Sequence, residues 1–136
     1  MQSVLDKLDG LLVSNQTNIF YLTSFRSLSP NEREAFVLLT LDRTFLVTHA
    51  LYLESARILA KGKKIEVVEI TRENPLSSVL KHLITKHKIK HLGFEETDLK
   101  VAEFNKLDKE LTNIKLVPTQ NRIEDVRLIK TAQEIK

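Results

Sequence analysis

An α/β domain is what this sequence predicts: helices layered on both faces of a mixed sheet. Two observations carry that reading. Short apolar runs with strand character recur along the chain, and two of them, at 35–40 and 44–48, are close enough for a β-hairpin. After the hairpin, strand-like runs alternate with amphipathic helical stretches, the pattern of parallel strands joined by right-handed helical crossovers. The hairpin supplies antiparallel pairing, so the sheet is mixed. With 136 residues the chain suits one domain. A chain near this size buries about 68% of its unfolded surface, enough for a real core.

The elements follow in order. Gly10-Leu11-Leu12-Val13 is the first strand, preceded by Val4, Leu5 and Leu8 at helical spacing. Ser14 to Asn18 is polar, Ile19 to Leu22 apolar, and Thr23 to Arg33 turn-rich around Pro30. The hairpin strands Ala35–Thr40 and Thr44–Thr48 flank Leu41-Asp42-Arg43. A helix is expected from about Leu51 to Ala60, with Tyr52, Ala56, Leu59 and Ala60 on one face and Gly62 placed to end it. Ile65–Ile70 reads as a strand. The best-marked helix then has Asn74 as cap, Pro75 at the first helical position, and a stripe of Leu76, Val79, Leu80, Leu83 and Ile84. Strand His91–Phe94 follows. The next helix is expected over Asp98–Leu111, capped by Thr97, with Val101, Phe104, Leu107 and Leu111 inward. Ile114–Val117 is the last strand, stopped by Pro118. Thr131-Ala132-Gln133-Glu134 fits a capping box, so a further helix is expected to begin at Thr131; the match is either a chance one in a frayed tail or the start of a helix leading into a following domain.

Composition removes several chemistries. There is no cysteine, which excludes disulfide scaffolds, thiolate zinc sites, iron–sulfur clusters and cysteine nucleophiles. The three glycines, Gly10, Gly62 and Gly93, can write neither a phosphate-binding loop nor a dinucleotide fingerprint. A net charge of +3 falls well short of a nucleic-acid domain. No apolar run is long enough to span a bilayer, and no secretory signal is visible at the N-terminus, so a cytoplasmic protein is expected, with neither nucleic acid nor membrane as partner.

Candidate chemical groups are few. A two-metal hydrolase needs carboxylates converging on ions about 3.5–4 Å apart. The acids here are dispersed, and the adjacent pair Glu95-Glu96 would point to opposite faces of a strand, so both are read as solvated or helix-capping. His87 and His91 are four apart, but the helix should end near Lys88 and no acid completes a zinc-peptidase pattern; with His82 they read as surface histidines. His49 follows a strand, at an edge where binding groups sit, and is either such a group or a loop histidine making an ordinary hydrogen bond. Lys81, Lys86, Lys88 and Lys90, with Lys61, Lys63 and Lys64, lack interleaved aromatics and read as solvated. The loop from Phe25 to Arg33 is singled out: it is polar, carries Arg26, Glu32 and Arg33, and joins two elements of a rigid scaffold.

Several segments in one order resemble the N-terminal domain of the creatinase/prolidase superfamily of metallopeptidases, closest to the Xaa-Pro dipeptidase and aminopeptidase P branches. Leu11-Leu12-Val13-Ser14 followed by Asn18-Ile19-Phe20-Tyr21-Leu22-Thr23-Ser24-Phe25 is similar to that family's opening, with Ser24 where the family has glycine. Ser29-Pro30-Asn31-Glu32-Arg33 resembles an Asp-Pro-His-Glu-Arg loop, and Thr48-His49-Ala50-Leu51-Tyr52 and Leu92-Gly93-Phe94-Glu95 fall in register. Ile123 to Ile135 resembles the junction that leads into the catalytic domain.

The resemblance implies a creatinase/prolidase-type N-terminal domain with a ribonuclease H-like α/β/α fold over residues 1–130, and 131–136 as the start of a linker helix to a C-terminal catalytic domain. It implies no catalytic or metal-binding residue in these 136 residues. Two divalent ions (Mn, Co or Zn) are expected in the catalytic domain. The partners it implies are that catalytic domain, a second copy in a homodimer, and short proline-containing peptides. In the resembling dipeptidases the Phe25–Arg33 loop reaches across the dimer to the partner's active site. Carried over by position, Ser29, Asn31 and Arg33 are the candidates; with Arg26 and Glu32 of the same polar loop, and His49, they make the set of substrate-cleft candidates. Ser29 and Asn31 replace the family's acid and histidine, so a charge contact there is not expected. The superfamily also includes creatinase and non-enzymatic histone chaperones, so a non-enzymatic protein-interaction module of the same fold is the alternative.

Overall fold

The computed structural model describes residues 4–29 and 33–135, with side chains described as far as residue 128. Strands β1 (Gly10–Val13), β2 (Ala35–Thr40), β3 (Thr44–His49), β4 (Ile65–Ile70), β5 (His91–Glu95) and β6 (Lys115–Thr119) form one mixed sheet in the order β4-β3-β2-β1-β5-β6. Helices α1 (Gln16–Thr23), α2 (Ala50–Ala60), α3 (Leu76–Lys86), α4 (Val101–Glu110) and α5 (Arg122–Ile135) complete it. The expected α/β class with a mixed sheet is the fold observed. β1 lies near the middle, antiparallel to β2 and parallel to β5. The hairpin registers Leu38 on Phe45 and Ala35 on Thr48, and β3–β4 and β5–β6 pair parallel.

Strand alternation divides the core into two halves. On one face Leu12, Leu38, Phe45 and Val47 pack beneath the α3 stripe of Val79, Leu80, Leu83 and Ile84 and beneath Leu107 of α4. On the other, Leu11, Val13, Val37, Leu39 and Leu46 meet Ile19 of α1, Tyr52 and Ala56 of α2, and Ile123 of α5. All six residues of β2 are buried, which is why this strand reads as an unbroken apolar run. At Gly93 the sheet and the N-terminal segment come close together. A Cβ there would lie 2.6 Å from Leu8 Cδ1 and 3.0 Å from Leu11 Cδ1.

Six local expectations are corrected. Helix α1 occupies a stretch that reads only as polar then apolar: Asn15 caps it by accepting the Asn18 N–H at 3.0 Å, and eight residues are too few to display a helical period. Ser24 closes α1 in the left-handed region at φ 67°, the conformation for which glycine is best suited. Pro75 is itself the N-cap of α3, and Asn74 instead closes a turn with Thr71. α4 starts at Val101 after Lys100, not after Thr97; Val101 is consequently 75% exposed while Leu107 is buried. Pro118 lies inside β6 opposite Phe94, tolerated because β6 is an edge strand with no outer partner. Finally, α5 begins at Arg122, so Thr131 stands within a helix already under way and does not start one. Val4, Leu5 and Leu8 are buried, although residues 4–7 form a turn and not a helix.

Candidate functional site

The loop that follows α1 leads to the start of β2 and is fastened to Tyr52 at two points and braced within itself at a third. Phe25 is buried and meets Tyr52 edge-on, ring centroids 5.4 Å apart. The Leu28 N–H donates to Tyr52 Oη at 2.9 Å, and the Ser27 hydroxyl donates to the Ser29 carbonyl at 2.9 Å. Beneath this loop is a recess of about 260 Å³ with an apolar floor of Ile19, Phe20, Phe25 and Ala35, and with Arg26 and Glu34 at its walls. The Arg26 guanidinium lies over the Phe20 ring, 4.2 Å from its centroid, so a cation is held at the mouth by an aromatic face. Glu34 is fixed by its own backbone, whose carbonyl accepts from Thr48 Oγ1 at 2.8 Å, and by its carboxylate, 2.5 Å from His49 Nε2. His49 in turn packs edge-on against Tyr52 at 5.3 Å. The recess therefore has apolar surface below, Arg26 over the Phe20 ring at its mouth, and the Glu34 carboxylate held by His49 at its wall.

The structure gathers some of the expected residues and separates others. Arg26 belongs to the recess, Ser29 lies on the loop above it, and His49 supports its Glu34 wall. Asn31 and Glu32 lie outside the described residues. Arg33 turns away toward α4: Nε and NH2 donate to the two carboxylate oxygens of Glu103 at 2.9 and 2.7 Å, and NH1 donates to Asp98 at 2.5 Å and to the Ser14 carbonyl at 2.8 Å. The bound guanidinium holds the Glu103 carboxyl below its ordinary range.

Tyr52→Phe tests the loop's fastening. Losing one partly buried hydrogen bond should cost about 0.5–1.5 kcal/mol. Amide exchange at Leu28 should accelerate while the core strands keep their protection; unchanged exchange at Leu28 would show that the bond does not hold the loop.

One polar centre was not foreseen. Glu95 is not solvated: it is 6% exposed, at the end of β5. Its Oε1 accepts the N–H groups of Ser14 and Asn15 at 2.7 and 2.8 Å, and its Oε2 accepts Asn18 Nδ2 at 2.6 Å. Asn18 Oδ1 then accepts Arg127 NH1 at 2.6 Å, so one chain of bonds ties β5, α1 and α5 together. Burial pushes the Glu95 carboxyl above its ordinary value, and the nearby charge of Glu124 adds to this, against the pull of the donors from Asn15, Asn18 and Ser14. A glutamate following a strand carries no sequence signal of such burial. Glu96 is exposed.

Among the described residues, no group of three or more His, Cys, Asp and Glu could hold a metal ion. His87 ends α3 and packs on Phe45 at 5.1 Å, whereas His91 opens β5 with Nδ1 3.5 Å from Asp9, so the two do not share a helix face. The seven lysines of the basic stretches are exposed. Among the described residues no helix is long and apolar enough to cross a membrane.

A six-stranded mixed sheet with helices on both faces, and a recess under the first helix–strand loop, define an α/β domain. The chain belongs to the creatinase/prolidase N-terminal domain family, whose model matches residues 5–129. It is 27% identical over 129 residues to the uncharacterized peptidase YqhT of Bacillus subtilis; the match takes in 95% of this chain but about a third (34%) of that relative. It also resembles the crystal structure of an Xaa-Pro aminopeptidase from Streptococcus pyogenes, at 30% identity and a TM-score of 0.72, covering 92% of each chain. An Xaa-Pro dipeptidase from Bacillus anthracis shares the fold at a TM-score of 0.77 and 22% identity, over 93% of this chain and 34% of that one.

Proposed function

We propose that this chain is the non-catalytic N-terminal domain of a metal-dependent, proline-specific peptidase acting on Xaa-Pro substrates, and that it shapes the substrate cleft and the dimer. What carries the reading is the family match across residues 5–129, together with the 30% identity to the Xaa-Pro aminopeptidase from Streptococcus pyogenes. In this reading Mn, Co or Zn would be held by a C-terminal catalytic domain, this chain's proposed covalent partner. Those ions would supply the hydroxide nucleophile and polarise the scissile carbonyl.

This chain's own contribution would be recognition. The tertiary amide before proline has no N–H to donate, so such a peptide is recognised by shape and by its charged ends. Arg26 and Glu34, set over the apolar floor of the recess, match that requirement. Ser29, Asn31, Glu32 and His49 are proposed as the loop and its support facing a second copy's cleft, with Arg33 as the anchor that ties the end of that loop to Glu103 and Asp98. The cytoplasm is the proposed compartment, a reducing environment that suits a cysteine-free chain.

The test is hydrolysis of an Xaa-Pro dipeptide by the protein containing this domain, with and without chelator. Cleavage that chelator abolishes and added metal restores is expected, with Arg26→Ala raising KM more than it lowers kcat. Metal-independent turnover, or none with metal restored, would sink the reading in favour of a non-enzymatic interaction module.

A further inference from the structure

Among the described residues, two buried side-chain polar atoms have no hydrogen-bond partner: Ser14 Oγ and Glu124 Oε1. Both belong to the polar centre around Glu95. Ser14 follows β1, is 1% exposed, and donates its N–H to Glu95 Oε1 at 2.7 Å. Glu124 stands in the first turn of α5, three residues ahead of Arg127 and so on the same side of that helix. Arg127 NH1 reaches the Asn18 carboxamide, which itself donates to Glu95 Oε2. Besides burial, the larger cause, the charge of Glu124 helps to push the Glu95 carboxyl up, as expected of two acids that stand near each other.

A water molecule could satisfy two lone polar atoms, but the centre also carries unequal charge. Glu95 and Glu124 bring two carboxylates, and the guanidinium bonded into the centre is that of Arg127. Arg33 reaches the neighbouring Ser14 carbonyl, yet it is matched by Glu103 and Asp98. One negative charge is therefore left over beside two free oxygens. Buried charge is costly unless it is paired.

Oxygen donors alone select a hard cation. Calcium takes about 6–8 oxygens and magnesium a near-ideal octahedron, usually with several carboxylates or phosphates among the ligands. The described residues bring no group of three or more His, Cys, Asp and Glu together for such an ion. A singly charged ion, its shell completed by water, matches both the donors and the charge. We propose that Ser14 Oγ and Glu124 Oε1 ligate a sodium ion beside Glu95, at the junction of β1, β5 and α5. The ion neutralises the charge that Glu124 sets against Glu95, and it makes the hold of α5 on the sheet depend on sodium.

The test is thermal unfolding of the whole chain in sodium chloride and, at equal ionic strength, in choline chloride. Between about 10 and 300 mM, sodium should raise the melting temperature about 3–6 °C more than choline does, for a Kd on the order of 50 mM. Ser14→Ala and Glu124→Gln should each lose most of that difference. A sodium titration of the native chain followed by NMR reads the same site without a variant; the amides of Ser14, Asn15, Asn18 and Glu124 should shift and saturate. Equal stabilisation by the two salts would mean ionic screening alone, and no response to either would mean water at these atoms. Full sodium response in both variants would place the ion elsewhere. Each of these three results would overturn the proposal.

Discussion

Glu95→Ala is expected to destabilise the chain by about 3–5 kcal/mol, the cost of removing one partner from a buried charged cluster. Three donors lose their acceptor at once: the amides of Ser14 and Asn15 and the Asn18 carboxamide. Each buried donor left alone costs about 1–3 kcal/mol. The apparent melting temperature should fall by about 10–20 °C on the usual scaling for a domain of this size. Glu95→Gln should cost less, about 1–3 kcal/mol, but not zero. The Asn18 carboxamide is ordered from both ends, its oxygen on Arg127 and its nitrogen on Glu95. A glutamine Nε2 would meet that nitrogen donor to donor, and flipping Asn18 would only move the clash to Arg127. A fall below 1 kcal/mol for Glu95→Ala would mean that water reaches these donors.

The pH dependence follows from the direction of the shift. Burial, the largest cause, raises the folded-state value of Glu95 above the ordinary 4.5, so the folded protein binds this proton more tightly than the unfolded chain. Its contribution is fully present below the unfolded value and is lost as pH rises through the folded one. Asp9, lowered chiefly by the amides of His91 and Lys90, and Glu103, lowered chiefly by Arg33, act with opposite sign; their contributions are lost as pH falls through their depressed values. The stability gap between the native chain and Glu95→Gln should therefore widen as pH falls from 7 toward 4.5. Denaturant unfolding at several pH values measures this. A gap that narrows would show that the three donors outweigh burial.

The architecture was legible where burial and period agree. β2, buried along its whole length, and α3, with its stripe facing Phe45 and Leu38, announce themselves because one face or both must be apolar. α1 was not legible, since its helical state depends on Asn15 capping it and on Glu95 holding the two amides before it, from eighty residues away in the chain. The Thr131 signal misleads for a related reason: a capping-box spacing occurs inside a helix as readily as before one, and Asn121 at φ 60° lies just ahead of the true start. At the candidate site, sequence singled out the loop and Arg26 but not Glu34, whose importance comes from pairing with His49 across the hairpin. Arg33 illustrates the limit most clearly. A cation on a polar loop suggests a ligand, and only the tertiary fold reveals two acids waiting on α4 and the turn before it.

That position sets the second large effect. Arg33→Ala should lower stability by about 2–4 kcal/mol, because it removes charge-assisted bonds to Glu103 and Asp98 and leaves both acids partly buried without their cation. Arg33→Lys should recover less than half of the loss. An ammonium keeps the charge but cannot place two parallel donors on Glu103 while also reaching Asp98 and the Ser14 carbonyl. The cost should shrink as pH falls through the depressed Glu103 value, where the acid is protonated with or without Arg33. Arg33 also joins the end of the loop segment to the Ser14 carbonyl, next to the amides that Glu95 holds. Glu95 and Arg33 thus grip neighbouring atoms of one β1–α1 turn, and the double variant should cost measurably less than the sum of the two single changes. Strict additivity in a double-mutant cycle would show instead that the two clusters hold the turn independently.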